Sequence, residues 1–519
     1  MSASSEKGSG KEVVDVASEK GSGKEAVGIY SADSAASSDG GIDDAWKFLD
    51  SHRDTAGADA VDLRKLRWKI DLHIVPLMFC CYTVQFLDKV ILNYANVMGI
   101  TTDLGMSGND FSNVATFLFV GLLAFEIPNI YFLQYFPAAK WLGANVVLWG
   151  IATACGAAAK DYQTLLVSRV FLGIFEATIG PSLILISSQW YTKSEQAPRF
   201  SIWYLGLGLG QILGGAVSYG FQGMSKSAQL SGWRTMFLTL GLITSLIGAC
   251  TFFFLPDTPM KAKWLSDNEK VALLKHVSVN QTGIENKKFR WKEIAEGLCD
   301  PQIWLIVLSV ILLSVSSGVV TTYSSRLIAN LGYVPKQAAL MNMPSGVVSI
   351  FFTLLVGYGV RKQSHRWAWI LACIIPAILG GALMSFLPTS NRSGCLAGIY
   401  LVNAVVAPLA VYYNWVAANV GGATKRAFAA AVVSGSFSIG NIIGPQTFQA
   451  RDAPDFRPAK LAVMGTQAGC ALTTILLYVY YVWQNKKRNA LAESEEAYLS
   501  PEVWARMTDK ENKKFRYSY

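Results

Sequence analysis

The stretch Arg169-Val-Phe-Leu-Gly-Ile-Phe-Glu176 carries two full charges inside an apolar run that extends from about 162 to 188. A run of this length can cross a bilayer, which takes about 20 residues. Charged side chains at membrane depth are costly, so they usually face a protein interior or a water-filled cavity and serve a function. Arg169, Gly173 and Glu176 share one helix face, with the two charges about 10 Å apart along the axis. The stretch predicts a membrane helix with a functional face.

The two charges of this face allow different interpretations. Arg169 either belongs to an internal ion-pair network that holds helices together or contributes to a substrate site. For Glu176 we favour a function, because Gly173 lies one turn before it and small residues follow it. A carboxylate that faces a cavity can take up and release a proton. At this depth the loss of hydration disfavours the charged carboxylate, which is compatible with a proton carrier.

Composition places the whole chain in the membrane. Of its 519 residues 52% are hydrophobic and only 16% are charged, whereas about a quarter are charged in a soluble chain. The mean hydropathy is +0.31. The net charge of +9 does not indicate nucleic acid, because the basic residues lie in short loops between apolar runs. The eight cysteines form no CxxC pair, and most lie within apolar runs, so they predict small apolar positions rather than a disulfide or zinc framework.

Twelve apolar spans follow a polar N-terminal segment. Residues 1–70 contain a Ser/Gly/Lys/Glu repeat and are expected to be a disordered tail. The spans are predicted near 72–93, 111–133, 141–159, 162–188, 201–221, 233–255, 303–325, 338–360, 367–388, 394–417, 427–448 and 461–483. A polar, basic segment at 256–302 divides them into bundles at 71–255 and 303–483, and a tail covers 484–519. The chain is predicted to be an all-α membrane protein of two six-helix halves.

Loop charges and glycines add orientation and symmetry. Lys and Arg are concentrated in the loops on the side of the N-terminus, so both termini and the central segment are expected in the cytoplasm. Small residues four apart let helices approach closely. Gly210 and Gly214 in span 5 correspond to Gly440 and Gly444 in span 11, and we expect these four glycines to mediate helix packing at equivalent places. Parallel repeats of this kind build central transport sites between two halves.

Charge is unevenly distributed between the halves. The deeply placed charges are those of Asp88, Lys89, Glu126, Arg169 and Glu176, all in the first half, whereas predicted spans 8 to 12 contain none. We therefore expect proton chemistry in the first half. The second half offers mainly neutral polar groups, and such a group more often packs helices together than contacts a ligand. The candidate contacts there are Ser316, Ser317, Tyr323 and Asn414, with Arg326 at the end of span 7. Among these Asn414 is favoured because aromatic residues surround it.

The spans, central segment and C-terminal tail resemble the allantoate permease family of fungal anion:cation symporters, in the major facilitator superfamily. The matching stretches are Leu87-Asp-Lys-Val-Ile-Leu-Asn-Tyr-Ala-Asn-Val-Met-Gly99, Glu126-Ile-Pro128, Arg169-x-x-x-Gly-x-x-Glu-Ala177, Trp190-Tyr191, Asn280-Gln-Thr-Gly-Ile-Glu-Asn-Lys287, Lys425-Arg426, Gly440-Asn-Ile-Ile-Gly-Pro-Gln446, Thr508-Asp-Lys-Glu-Asn512 and Phe515-Arg-Tyr517. The resemblance covers nearly everything after residue 65.

The resemblance implies a major facilitator fold and proton-coupled import of a small organic anion, such as a ureido acid or a vitamin carboxylate. It implies that Asp88 and Glu176 carry protons beside Lys89, with Glu126 as a further candidate. It also implies a plasma-membrane transporter without a cofactor, which we expect to be a monomer in the lipid bilayer. Two departures lie where substrate could enter: Ser316-Ser317-Gly318 replaces an Asn-Gly-Gly-like run, and Arg326 stands at a usually apolar position.

Other classes of function remain as alternatives. An enzyme is not expected, because the four histidines fall outside the span interiors and no nucleophile pattern is present. A nutrient sensor would usually carry a long cytoplasmic tail, and the tails here argue weakly against one. An efflux antiporter is the nearest rival. The run Gly210-Gln-Ile-Leu-Gly-Gly215 lacks the proline that such antiporters carry in span 5, which favours uptake modestly.

Overall fold

The structure is a computed structural model that describes residues 61–223, 230–278, 290–363, 365–492, 507–512 and 515–519. Most of the segment predicted as a disordered N-terminal tail, residues 1–60, lies outside the described residues. The stretch Asn280–Lys287 of the central segment also lies outside them.

The described chain is helical throughout its core, and the predicted spans all appear as helices. Spans 1 to 6 are Leu63–Val97, Asp110–Tyr135, Ala138–Gly156, Tyr162–Glu176 continued by Ile179–Trp190, Lys193–Tyr204 continued by Gly206–Phe221, and Gly232–Phe254. Spans 7 to 12 are Pro301–Asn330, Pro335–Lys362, Arg366–Phe386, Arg392–Val402 continued by Asn403–Val405 and Val406–Asn419, Ala423–Gln446, and Arg457–Ala492. Short helices cover Ile100–Asp103, Pro259–Lys261, Asp267–Ser278, Trp291–Leu298 and Ala450–Asp452.

Eleven of the spans in the described chain are long and apolar enough to cross a membrane. Span 3, of 19 residues, completes the first six-helix half by packing against span 6. Local signals set where several spans begin. The side chain of Asp161 accepts a hydrogen bond from the backbone N–H of Thr164 at the start of span 4. Pro301 and Pro335 occupy the first positions of spans 7 and 8, where proline is well tolerated.

The two halves repeat one packing scheme. Span 1 packs on span 5 and span 3 on span 6, and in the second half span 7 packs on span 11 and span 9 on span 12. The glycines lie at these contacts: a Cβ on Gly210 would lie 2.9 Å from the carbonyl oxygen of Thr83, and one on Gly440 would lie 2.5 Å from the Cβ of Ser314. Gly214 and Gly444 lie one turn further along the same two contacts. Gly210, Gly440 and Gly444 therefore allow close backbone contacts, whereas at Gly214 the space is filled by side chains of span 1.

The halves meet through spans 1 and 7, 2 and 11, and 5 and 8. We call the side where span 1 begins and span 12 ends the tail side. On the opposite side, hydrogen bonds cross between the halves and form what we call the seal. Ser112 and Tyr323 share a hydrogen bond of 2.6 Å between their hydroxyls, and the Asn93 amide donates to the Ser324 hydroxyl at 2.7 Å. The Tyr323 ring also stacks on Phe448 with centroids 4.1 Å apart.

On the tail side, the end of the chain packs back onto the second half. The ammonium of Lys425 is fully buried and lies 2.8 Å from Glu296, 2.6 Å from Asp300 and 2.6 Å from Asp509. We call these four residues the Lys425 cluster. Asp509 belongs to the C-terminal tail, Asp300 to the start of span 7 and Lys425 to the start of span 11. The C-terminal segment thereby holds the tail-side ends of spans 7 and 11 together.

The first half has an equivalent device made from the central segment. Helix Asp267–Ser278 follows span 6 as the C-terminal tail follows span 12. Its His276 lies 3.0 Å from Glu195 at the start of span 5, and its Glu269 lies 2.8 Å from Lys69 in span 1. Burial alone would raise the pKa of Glu195. The hydrogen bonds with His276 and Thr192 lower it by more than burial raises it, so the pKa lies below its ordinary value.

Candidate substrate-binding cavity

A cavity of about 530 Å³ lies between the two halves. Most of its wall is apolar, and aromatic side chains form much of it: Tyr82, Phe86, Phe119, Phe200, Trp203, Tyr204, Tyr413 and Phe437. The lining continues to the tail-side ends of spans 2, 4 and 11, where Ile130, Ile184 and Arg426 are exposed. The seal closes the other end. The cavity is therefore open toward the tail side in this conformation.

Lys89 and Glu176 form an ion pair in the cavity wall. The ammonium of Lys89 lies 2.6 Å from Oε1 of Glu176, and the Gln85 amide donates to the same oxygen at 3.0 Å. Oε2 of Glu176 is buried and has no hydrogen-bond partner among the described residues. The Lys89 ammonium also lies 5.8 Å from the ring centroid of Phe119 and 5.7 Å from that of Phe437, one ring from each half. The pair thus joins spans 1 and 4 at a point that also touches span 11.

Asp88 and Arg169 lie behind this pair, inside the first half. Both are 1% exposed and neither lines the cavity. Arg169 donates to the backbone carbonyl of Asp88 at 3.4 Å, and its guanidinium lies 4.9 Å from the ring centroid of Phe237. Thr153 donates to one carboxylate oxygen of Asp88 at 3.2 Å. The interpretation of Arg169 as an internal counter-charge fits this position better than direct substrate contact.

Glu126 is a second carboxylate in the cavity wall. It is 8% exposed, lies on span 2, and faces Ser434 of span 11 in the cavity lining. Within the described chain no Lys or Arg nitrogen lies within 4 Å of it. Glu126 therefore faces the second half as a carboxylate without a counter-cation among the described residues, whereas Glu176 is paired with Lys89.

The candidate contacts of the second half are mostly placed elsewhere. Ser317 does line the cavity. Ser316 is fully buried and accepts a hydrogen bond from Gln467 at 2.8 Å, so it packs span 7 on span 12. Tyr323 belongs to the seal, and Arg326 is exposed beyond it. These placements correct Ser316, Tyr323 and Arg326 as candidate substrate contacts and keep Ser317, because adjacent residues on a helix point about 100° apart.

The favoured contact Asn414 also needs correction. It is exposed on span 10 outside the cavity, and its amide oxygen accepts a hydrogen bond from Arg366 at 2.8 Å. Its neighbour Tyr413 is the residue of that stretch that lines the cavity. The surrounding aromatic residues correctly marked the segment but not which side chain faces inward.

Sequence reasoning missed several lining residues. Tyr82, Gln85 and Phe86 precede Lys89 at spacings of seven, four and three, so they share its helix face and could have been found from that spacing. The hydroxyl of Tyr204 donates to the carbonyl of Val406 at 2.9 Å across the two halves, and no local pattern indicated it.

A family comparison agrees with this architecture. Residues 78–445 match the family model for the Major Facilitator Superfamily. The chain therefore belongs to the major facilitator superfamily, among the fungal transporters related to allantoate permease. The predicted fold and the predicted family resemblance are both confirmed.

Similar proteins span nearly the same length. The Thiamine pathway transporter THI73 of Saccharomyces cerevisiae is 36% identical over 458 residues, covering 88% of this chain and 86% of that protein. The Allantoate permease of the same organism is 32% identical, covering 92% of this chain and 90% of that protein. Among solved structures, a D-xylose-proton symporter is similar with a TM-score of 0.60 at 17% identity, covering 78% of this chain and 97% of that one. At this identity the likeness concerns the fold, and the curated relatives are transporters rather than enzymes.

Proposed function

We propose that this protein imports a small organic anion together with a proton by alternating access. The observation that carries the proposal is the Lys89–Glu176 ion pair in the wall of the cavity between the two halves. The loop charges favour a cytoplasmic tail side, so the cavity of this conformation opens inward. We place the transporter in the plasma membrane with both termini in the cytoplasm.

The ion pair supports a direct exchange of partners. Lys89 has one ammonium, and Glu176 is its ion-pair partner in this conformation. When Glu176 takes up a proton, the ammonium loses its counter-charge and can hold a substrate carboxylate. When the proton leaves Glu176, the carboxylate of the protein competes with that of the substrate and displaces it. One proton and one anion then move inward together. If Lys89 were buried with both the Glu176 and the substrate carboxylates charged, or with no charged carboxylate beside it, one charge would remain uncompensated.

Asp88 and Arg169 act in this scheme as the background charge pair. Arg169 lies behind Asp88 and away from the cavity, so it compensates Asp88 without competing for substrate. A proton on Asp88 would release Arg169 from its counter-charge. Arg169 could then turn toward Glu176, which lies on the same face of span 4. Asp88 and Glu126 thus remain the alternative proton carriers if Glu176 proves structural.

The wall limits the body of the substrate. Tyr82 packs edge-on against Trp203 with centroids 4.7 Å apart, and Tyr204 lies 5.7 Å from the Tyr82 ring. Such a wall favours a flat or apolar body over a heavily hydroxylated one, since unpaired polar groups would lose hydration on binding. The proposed ligand is a small carboxylate whose charge meets Lys89 and whose body lies on these rings.

The experiment is transport by purified full-length chain in proteoliposomes, first screened with a panel of radiolabelled carboxylates. Glu176→Gln mimics the protonated form, so we expect exchange of internal for external substrate to persist while accumulation driven by a pH gradient is lost. The contrasting variant is Lys89→Ala, in which both exchange and accumulation should show a strongly raised KM. If Glu176→Gln still concentrates substrate in a pH-dependent way, Glu176 is structural and the proton travels on Asp88 or Glu126.

A further inference from the structure

The charges that line the cavity are not balanced along its length. Among the described residues, the lining contains four charged ones: Lys89, Glu126, Glu176 and Arg426. Lys89 is paired with Glu176, and no Lys or Arg nitrogen of the described residues lies within 4 Å of Glu126. In the described chain no carboxylate oxygen lies within 4 Å of the Arg426 guanidinium, and Arg426 is exposed to the cavity mouth. Glu126 lies seven residues nearer the tail side on span 2 than Phe119, so it adds one excess carboxylate between the Lys89 pair and the mouth, and the mouth carries one uncompensated cation.

Arg426 is held in this position by its neighbours in the chain. Lys425 turns the other way and is buried in the Lys425 cluster. Glu293 accepts hydrogen bonds from the backbone N–H groups of Thr424 and Lys425 at 3.0 and 3.2 Å, which anchors the start of span 11. Because adjacent helical residues point about 100° apart, this anchoring directs Arg426 to the cavity.

Within the part of the chain that the structure describes, one nitrogen of the Arg426 guanidinium is hydrogen-bonded to the protein, and the other two are available to a ligand. Its Nε donates to the carbonyl oxygen of Val420 at 2.9 Å. No hydrogen bond of its two Nη groups is found among the described residues. The terminal nitrogens of an arginine can donate two parallel hydrogen bonds to the two oxygens of one carboxylate, which is a bidentate contact. The residues that follow on the lining face of span 11, Ala427, Ala430 and Ala431, are small and leave room beside it.

Arg426 is too far from the deep pair for one small ligand to touch both. Phe437, which lies 5.7 Å from the Lys89 ammonium, is eleven residues further along span 11. Eleven residues correspond to about 16 Å of helix. The two cations therefore define two separate places along the cavity.

We propose that Arg426 forms a second carboxylate-binding site at the tail-side mouth, which receives the anion after it leaves Lys89. This inference rests on the proposed function for the direction of transfer, but the site itself does not depend on it. Once Glu176 re-forms its pair with Lys89, Glu126 repels an anion that has passed it from returning, and Arg426 is the nearest uncompensated positive charge in the described lining. The arrangement favours release toward the tail side.

A labelling experiment tests the site without knowledge of the substrate. Ala430 lies one turn from Arg426 on the lining face. Ala430→Cys is introduced into a full-length chain whose exposed cysteines Cys80, Cys155 and Cys299 are replaced by Ala. The reaction rates of an anionic reagent, sulfonatoethyl methanethiosulfonate, and a cationic one, trimethylammonioethyl methanethiosulfonate, are compared. A unit charge at about 8 Å in water changes each rate about 2.4-fold in opposite directions, so Arg426→Gln should lower their ratio about sixfold.

Benzoate is the carboxylate probe and benzamide its uncharged counterpart. We expect benzoate, but not benzamide, to slow labelling in the parent chain, and we expect Arg426→Gln to abolish this protection. Arg426→Lys keeps the charge, so the rate ratio should remain while protection weakens. Lys362→Gln, an exposed cation at the tail-side end of span 8, should change neither. An unchanged rate ratio in Arg426→Gln, or benzoate protection that survives it, would overturn the proposal even if proton-coupled uptake is demonstrated.

Discussion

The Lys425 cluster makes a quantitative prediction about stability. In Lys425→Met the carboxylates of Asp300 and Asp509, both fully buried, lose their shared cation. Breaking a buried ion pair by removing one partner costs about 3–5 kcal/mol, because the remaining charge is buried without compensation. For a unit the size of the second half this corresponds to a loss of about 10 °C in melting temperature. Lys510, which lies 3.7 Å from Asp300, can offset part of this loss.

A second substitution tests whether charge rather than volume is responsible. Asp509 also accepts hydrogen bonds from the Gln302 amide at 2.9 Å and the Tyr517 hydroxyl at 2.7 Å. Asn can still accept from such neutral donors. Asp509→Asn in the Lys425→Met background should therefore recover part of the lost melting temperature. The single variant Asp509→Asn should cost less, about 2 kcal/mol, because Lys425 keeps two carboxylates.

The assay is thermal unfolding of detergent-solubilised full-length protein at one fixed scan rate, since unfolding of such proteins is usually irreversible. Lys362→Met is the matched control, because Lys362 is exposed on the same side of the same half. If Lys425→Met melts at the temperature of this control, the cluster does not stabilise the second half. If the double variant is no better than Lys425→Met alone, the buried charge is not the cause.

Two further predictions concern the seal and the helix packing. Asn93→Ala removes the amide that donates to Ser324, so it should destabilise the tail-open conformation by about 2 kcal/mol. A cysteine introduced at Ala430 should then be labelled more slowly, and an unchanged labelling rate would contradict the prediction. Gly143→Leu places a Cβ 2.6 Å from backbone atoms of span 6, so no folded protein should be recovered in size-exclusion chromatography. Gly465→Leu should be tolerated, because a Cβ there has no atom within 4 Å. Equal yields of folded protein for the two variants would refute the packing argument.

Several properties of this chain follow from local sequence alone. A membrane span is an apolar run of a certain length, so twelve spans in two halves could be found without knowledge of any contact. Charge at membrane depth is equally local, so Lys89, Glu126 and Glu176 stand out in the sequence without knowledge of their surroundings. Glycines at Gly210 and Gly440 showed the duplication because close helix contacts require small residues.

The partners of those residues were decided only by the tertiary structure. Glu176 shares a helix face with Arg169, yet its ion-pair partner is Lys89, 87 positions away in sequence, because span 1 packs against span 4 at that depth. Asp88 and Lys89 are neighbours, but one points into the first half and the other into the cavity. A helix turns adjacent side chains about 100° apart, and which of them meets a cavity depends on the rotation of the helix against its neighbours.

The same distinction separates Lys425 from Arg426. Sequence shows two adjacent basic residues before span 11 and cannot tell their roles apart. The C-terminal segment, about 84 positions further on, supplies Asp509 to one of them and leaves the other facing the cavity. Local sequence determines which segments enter the membrane, because transfer of a segment depends on its own apolar surface. Which charges meet depends on the packing of segments distant in the chain, and only the folded structure contains that information.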